Sequence, residues 1–576
     1  MKEKLPKWDL SPIYSSPEGE DFTQAIVRCE EKCHQMKADI KENASLDVVV
    51  KEYESIADTY ETLNAYAYAG LSVDTTSALW LKAQAKVSQL GVLFNGVGIA
   101  LKNYLFEKKD DLILKTAVGE SLEKYDYVLG LLLDEQTHQM SVDNEDLAAD
   151  LNRSGTEAFE RLQEALASST TISYQGKDLT VTELRNFAFD KDPEVRKSAF
   201  EAEVALLKNN ETAYAAALNG VKGATITLDK RRNYGNLERS MADARIDSSV
   251  LDALIGTLEK NLPLFRSYFA AKAKRLGKKQ LAFYDLFAPV SSSTMHFTFE
   301  EAKAFIIDKF TSFDSEMGAF VQQAFENNWI DAEPKKGKIG GAYDIAFPDA
   351  KCSRIMCNFD SSYSGLSTMA HELGHAFHDS QVLPLSSLLR TYPMTLAETA
   401  SIFSEYLTLQ GALDQATTDQ RLSLVEQFIQ DAAQICVDIL CRFYFERALF
   451  EERKDGDLTA ERMSALMVEC QKKTYGELSA YHPYMWAVKG HYYSSAFSFY
   501  NYPYAFGQLF ALGVYSQREK LGKEFPAVYK KMLASTGLND CRTVAQLVDC
   551  DLTDPHFWQS GVDLIASYIK EFADAN

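Results

Sequence analysis

The chain has 576 residues, of which 46% are apolar and 25% charged, with only 14 Pro and 29 Gly. That balance is an ordinary globular one; it excludes disordered, collagen-like and disulfide-scaffold classes and favours a mainly α protein. The formal net charge of −22, from 60 Lys+Arg against 82 Asp+Glu, excludes a nucleic-acid binder with a basic footprint. The run Lys230-Arg231-Arg232 reads as a solvated loop. The opening MKEKLPKWDLSP has no apolar h-region, which predicts no signal peptide. Nine sparse Cys predict free thiols and a cytoplasmic location. Neither Cys29-Cys33-His34 nor Cys352-Cys357 has a second half at zinc-site spacing. Residues 490–517 carry no Asp, Glu, Lys or Arg, but Pro503, Asn501, Gln508 and the tyrosines mark a buried or cleft-lining segment rather than a membrane span.

Along the chain, residues 20–110 are patterned as helix without a proline, 106–111 read as a turn, and a second helical block runs to about 168. Residues 171–181 predict a small hairpin turning at Gly176. Asp192-Pro193 supplies an N-cap and a first-turn proline for another helix, and helical patterning continues to about 276. A polar break at 289–293 precedes Thr298 and Glu301, a capping box. Glycines and Pro348 then punctuate 334–365, where 339–343 and 354–359 are strand candidates. Beyond 367 the pattern is mostly helical to 490. A mainly α body with one small sheet follows.

The chemistry is carried by His371-Glu372-Leu373-Gly374-His375, an HExxH. On a helix the two histidines lie about 40° apart around the axis and one turn apart along it, so both reach one ion. Zinc with three protein ligands and an open position lowers the pKa of a water to about 7, and a neighbouring carboxylate, Glu372, takes its proton. The apolar flanks Leu366, Met369, Ala370, Ala376 and Phe377 predict a buried helix. His378 shares the face of His371 but sits about 10.5 Å along the axis, too far for three histidines of one straight helix to meet an ion at about 2.1 Å. It reads as a histidine that supports the site or faces substrate. The third ligand is therefore expected from another helix. Glu398, 23 residues after His375 and beyond Tyr392-Pro393, is the candidate, with a solvated helix carboxylate as the alternative on spacing alone. Glu405 lies on the same face, either orienting a ligand imidazole or standing as a surface carboxylate.

Residues 340–378, GGAYDIAFPDAKCSRIMCNFDSSYSGLSTMAHELGHAFH, with the later LAETASIFSE, resemble the thimet-oligopeptidase family of zinc peptidases, and within it the oligoendopeptidase F subfamily. Trp8-Asp9-Leu10-Ser11, the hairpin near Gly176, Asp192-Pro193-Glu194-Val195-Arg196 and 231–238 share the likeness, which spans nearly the whole chain. The resemblance implies one Zn2+ per chain held by His371, His375 and Glu398, with Glu372 as general base and proton shuttle. It implies a two-lobed, zincin-like helical body, with one small β-sheet beside the HExxH helix and a deep channel that admits short peptides. It also implies a C-terminal His and Tyr pair that stabilises the oxyanion. His491 and Tyr500 match best, Tyr502 and Tyr504 compete for the second tyrosine role, and Pro503 argues against one unbroken helix through them. Strand 354–359, with Cys357 and Asn358, is implied as an edge strand that pairs with extended substrate. Gly340, Gly341 and Gly365 either allow close backbone approach or are ordinary turn glycines.

The expected regions are 1–110, N-terminal helical; 111–195, lid-like with the hairpin; and 196–576, catalytic. The expected activity is hydrolysis of internal bonds in short oligopeptides, in the cytoplasm, with no nucleic-acid or membrane partner and with monomer or homodimer left open. A helical zinc carboxypeptidase is one rival, separable by its products. A peptide-binding protein with a dead metal site is the other, disfavoured by the intact Glu372 and ligand set.

Overall fold

Helices begin where a side chain can take up the free amides of the first turn. Asp192 accepts the Glu194 N–H at 2.9 Å, Pro193 follows, and helix Pro193–Asn209 starts there. Thr298 and Glu301 cap each other's main chain at 2.8 and 3.2 Å ahead of helix Phe299–Phe313. The computed structural model describes residues 4–110, 122–291 and 293–575. Among them the structure is mainly helical, with two small sheets. The helical stretch 20–110 is three helices, Glu20–Lys41, Leu46–Val73 and Ala78–Glu107. Lys108 caps the last of these inside the expected turn; Asp111, and with it the start of the second helical block, lies outside the described residues.

The hairpin pairs β1 (Thr171–Tyr174) with β2 (Lys177–Thr180). Gln175 and Gly176 both take positive φ, 50° and 79°, as a two-residue turn that follows strand twist requires. The second sheet has the order β3 (Ile330–Asp331), β5 (Cys352–Met356), β4 (Tyr343–Phe347), with β5 parallel to β3 and antiparallel to β4. The expected strand 339–343 therefore forms four residues later. Gly341 at φ 79° still belongs to a turn, and regular pairing starts only at Tyr343, opposite Met356. The expected strand 354–359 starts two residues early and is the middle strand of its sheet, not an edge; the outer position on its antiparallel side belongs to β4.

The chain divides into two compact units. One comprises Met1–Thr137, Thr294–Gln415 and Gln517–Cys550. Its three N-terminal helices share a core of Phe22, Met36, Val49, Leu63, Tyr66, Val87 and Leu105 that also takes in Phe347 of β4. Tyr343 and Ser72 hydrogen-bond through their hydroxyls at 2.6 Å, and Arg390 pairs with Asp58 and Glu61, so helix Leu46–Val73 backs the sheet and the metal-side loops. The other unit comprises His138–Ser293, Ala416–Ser516 and Asp551–Asn576. It holds the hairpin, the long helix Ser248–Arg275, helix Ile439–Arg453 preceded by a π-turn at Gln434–Asp438, and the buried helix Tyr502–Ser516. Pro503 sits in the first turn of that last helix, where its missing N–H leaves no bond unmade. All nine cysteines are free. Among the described residues, no helix is long and apolar enough to cross a membrane.

Candidate metal centre

The HExxH lies on helix Tyr363–Val382, which Ser362 caps by accepting the Gly365 N–H at 3.0 Å. Leu366, Met369, Ala370, Leu373, Ala376 and Phe377 bury its inner face. Glu398 stands at the junction between the short helix Met394–Ala397 and helix Thr399–Gln415. The three candidate ligand atoms form a small triangle. His371 Nε2 and His375 Nε2 are 3.2 Å apart, and Glu398 Oε2 lies 3.3 and 3.4 Å from them. Two ligands at 2.1 Å from a tetrahedral ion stand about 3.4 Å apart, so these edges fit a zinc site with its fourth position open. Among the described residues this is the one group of His, Cys, Asp and Glu side chains with metal-holding geometry.

The surroundings fix the ligands. His371 Nδ1 meets Glu405 Oε1 at 3.0 Å, which presents Nε2 to the ion. Burial disfavours charge on His371, but the Glu405 hydrogen bond and the nearby carboxylates outweigh it and hold its pKa at about 9. Glu398 moves the other way, to about 2: burial is overcome by His375, His371 and the Ser401 hydroxyl, which donates at 2.7 Å. Glu372 is only 6% exposed, and burial lifts its carboxyl above the ordinary range against the pull of both histidines.

Gly374 is a site residue that the sequence reading left without a role. A methyl group there would stand 2.5 Å from the Ala400 carbonyl oxygen and 2.7 Å from Ser404 Oγ, so its bare backbone lets the glutamate helix come close enough to deliver Glu398. The available signal was a glycine in mid-helix. His378 is neither a ligand nor substrate-facing. It is fully buried, its Nε2 meets Thr536 Oγ1 at 2.9 Å, its ring stacks on Tyr392, and burial lowers its pKa to about 3, keeping it neutral.

In the second unit, His491, Tyr500 and Tyr504 form one aromatic cluster. Ring centroids are 5.1 Å apart for His491–Tyr500, 6.0 Å for His491–Tyr504 and 5.3 Å for Tyr500–Tyr504. All three are partly exposed. Burial, with the nearby Arg442 and Lys489 charges, lowers the His491 pKa to about 4, so the ring is neutral at pH 7. Tyr502 does not join them. It is fully buried, and its hydroxyl donates to the Ser240 carbonyl at 2.9 Å, whereas the Tyr504 ring lies beside His491.

The expected substrate strand is also corrected in position. Cys357 is buried, its N–H donates to the Asp331 carbonyl at 2.9 Å, and its carbonyl accepts from Lys338 Nζ at 2.7 Å. The Asn358 amide donates to the carbonyls of Ile339 and Gly341, both at 3.0 Å. These residues hold the glycine loop instead of offering a free edge; the outer strand is β4. Gly340 and Gly341 have open space where a Cβ would be, whereas a Cβ at Gly365 would press on Asp360 at 2.7 Å.

A profile for peptidase family M3 matches residues 187–564. An oligoendopeptidase F homolog of Lactococcus lactis subsp. lactis (strain IL1403) is 26% identical over 528 residues, covering 88% of this chain and 86% of that protein. Oligopeptidase PepF of Bacillus subtilis (strain 168) is 24% identical over 589 residues, covering 98% and 87%. Among solved structures, a peptidase from Chlamydophila abortus has a TM-score of 0.85 at 21% identity, over 99% of this chain and 98% of that one. Oligoendopeptidase-F from Enterococcus faecium has a TM-score of 0.68 at 19% identity, over 96% and 98%.

Proposed function

This chain belongs to peptidase family M3 and is a metallopeptidase, and from that premise we propose that it is a zinc-dependent endopeptidase of short oligopeptides. The observation that carries the reading is the triangle of His371, His375 and Glu398, its edges matched to a zinc ion, with the buried acid Glu372, its pKa raised by burial, next to it in the chain. When bound, zinc supplies Lewis-acid polarisation and a water of lowered pKa. The rest of the chemistry falls to the chain. Glu372 takes the proton of the attacking water on its carboxylate and passes it to the leaving amine nitrogen. Glu405 holds His371 in the tautomer that leaves Nε2 for the metal. His491, neutral, and the hydroxyls of Tyr500 and Tyr504 are the proposed donors to the oxyanion, a role taken from the family resemblance and supported by their shared cluster. The outer edge of β4, with Gly340 and Gly341 just before it, is the proposed strand for main-chain pairing with substrate. Residues 196–576 are proposed to carry the catalytic residues, after a helical region to 110 and a lid-like one to 195, with a channel that limits substrates by length; the proposed setting is the cytoplasm.

The test is mass spectrometry of a mixed pool of short peptides incubated with the protein, with and without chelator. Internal cuts that vanish on chelation and return with zinc are the expected result. Removal of single C-terminal residues would reassign the protein as a carboxypeptidase, and an intact pool with zinc-loaded protein would leave a binding protein.

A further inference from the structure

The loop that carries Tyr500 is tied down by charges that have no other evident task. Lys222, on helix Glu211–Arg231, and Glu446, on helix Ile439–Arg453, are 0% and 1% exposed. Lys222 Nζ donates to Glu446 Oε1 at 2.7 Å. The same carboxylate then reaches the loop twice. Oε1 accepts the Phe499 backbone N–H at 3.0 Å, and Oε2 accepts the Asn501 amide at 2.8 Å. Asn501 in turn accepts the Tyr502 N–H at 2.7 Å on its side-chain oxygen and the Tyr504 N–H at 3.0 Å on its carbonyl. Phe499 stands at φ 55°, a left-handed conformation that bulky residues rarely take, and its ring is wedged between Phe443 and Phe450. Both neighbours of Tyr500 are therefore fastened to one buried carboxylate, while Tyr500 itself is turned to His491.

A buried ion pair is a weak source of stability, because desolvation offsets most of the attraction. A strained backbone persists only where its surroundings over-determine it, and such spots cluster at functional positions. We propose that Lys222, Glu446 and Asn501 are positioning residues that fix the Phe499–Asn501 turn and thereby aim the Tyr500 hydroxyl for oxyanion stabilisation. The inference rests on the catalytic role given to Tyr500 above. Lys222 and Glu446 act only through the turn and touch no substrate.

The experiment is a double-mutant cycle between Asn501→Ala and Tyr500→Phe, with kcat and KM on a fluorogenic oligopeptide and with bound zinc and thermal midpoint recorded for each variant. Asn501→Ala is expected to lower kcat by about 10- to 100-fold with KM little changed, because the lost interaction forms in the transition state. In the Tyr500→Phe background it should have no further effect on kcat, since the group it aims is gone. Losses that multiply, or an unchanged kcat in Asn501→Ala beside a large loss in Tyr500→Phe, would overturn the positioning role and leave the role of Tyr500 standing. An unchanged kcat in Tyr500→Phe would remove the role of Tyr500 itself and the inference with it. If Asn501→Ala does not fold, the paired substitution Lys222→Met with Glu446→Met puts the same question with an apolar core, and the same non-additivity with Tyr500→Phe is expected.

Discussion

Glu372 and Glu405 are carboxylates that their surroundings put to different uses. Glu372 is buried and its proton affinity is raised, which suits a group that must take a proton and release it. Glu405 has a side chain 40% exposed and is committed to His371 Nδ1. Glu372→Gln should keep its zinc and lose about 10²- to 10⁴-fold in kcat, the usual worth of a general base; metal analysis beside steady-state rates decides it, and full turnover in a zinc-loaded variant would refute the role. Glu405→Ala should keep the fold and lose zinc affinity by about 10- to 100-fold, read by competition with a chromogenic chelator. His371 and His375 were legible as a pair because helical spacing fixes which side chains share a face, whereas Glu398 was favoured by the family resemblance rather than by spacing. Tyr502 and Tyr504 were not separable in that way. The choice depends on where the helix after the Phe499 turn begins and on Ser240, a partner 262 residues away, and neither leaves a local trace.

At the scale of elements, the centre is two helices pressed together at a glycine. In Gly374→Ala the added methyl meets main chain at Ala400, which cannot rotate away, so the glutamate helix must shift. Overpacking of this kind costs about 1–3 kcal/mol, and the shift should also loosen the Glu398 edge of the ligand triangle. A lower urea midpoint together with weaker zinc binding is expected; a drop in stability with unchanged zinc affinity would show that the helix contact and the metal site are independent. Caps and the hairpin were readable in the sequence because they rest on neighbours within a few residues, as at Asp192, Thr298 and Gly176. The three-stranded sheet was readable as a presence but not in its order or register. β3 is two residues long, and its pairing with Ile355 and Met356 is a long-range choice.

At the scale of the whole molecule, acid stability should be limited by buried pairs such as Glu203 with Arg185 and His482, at 2.8 and 3.0 Å. Burial alone would raise the Glu203 pKa, but His482 and Arg185 outweigh it and bring it to about 2 from an ordinary 4.5. The folded value lies below the unfolded one, so the contribution is fully present above pH 4.5 and is lost as pH falls through 2. Glu203→Gln is therefore expected to be less stable than the parent by about 3 kcal/mol near neutrality, with the gap closing as the pH drops below 4.5. Urea titrations at several pH values test this, and a gap that stays constant into strong acid would rule it out.

The unit that carries the candidate metal ligands is built from three separated stretches, the last ending at Cys550, and Thr536, the partner of buried His378, lies in that last stretch. During synthesis the two histidines and Glu398 leave the ribosome well over a hundred residues before the wall behind them exists. A chain cut short between Glu398 and Gln517 would thus carry His371, His375 and Glu398 without the wall behind them, and secure metal loading is expected only once that last stretch has been made.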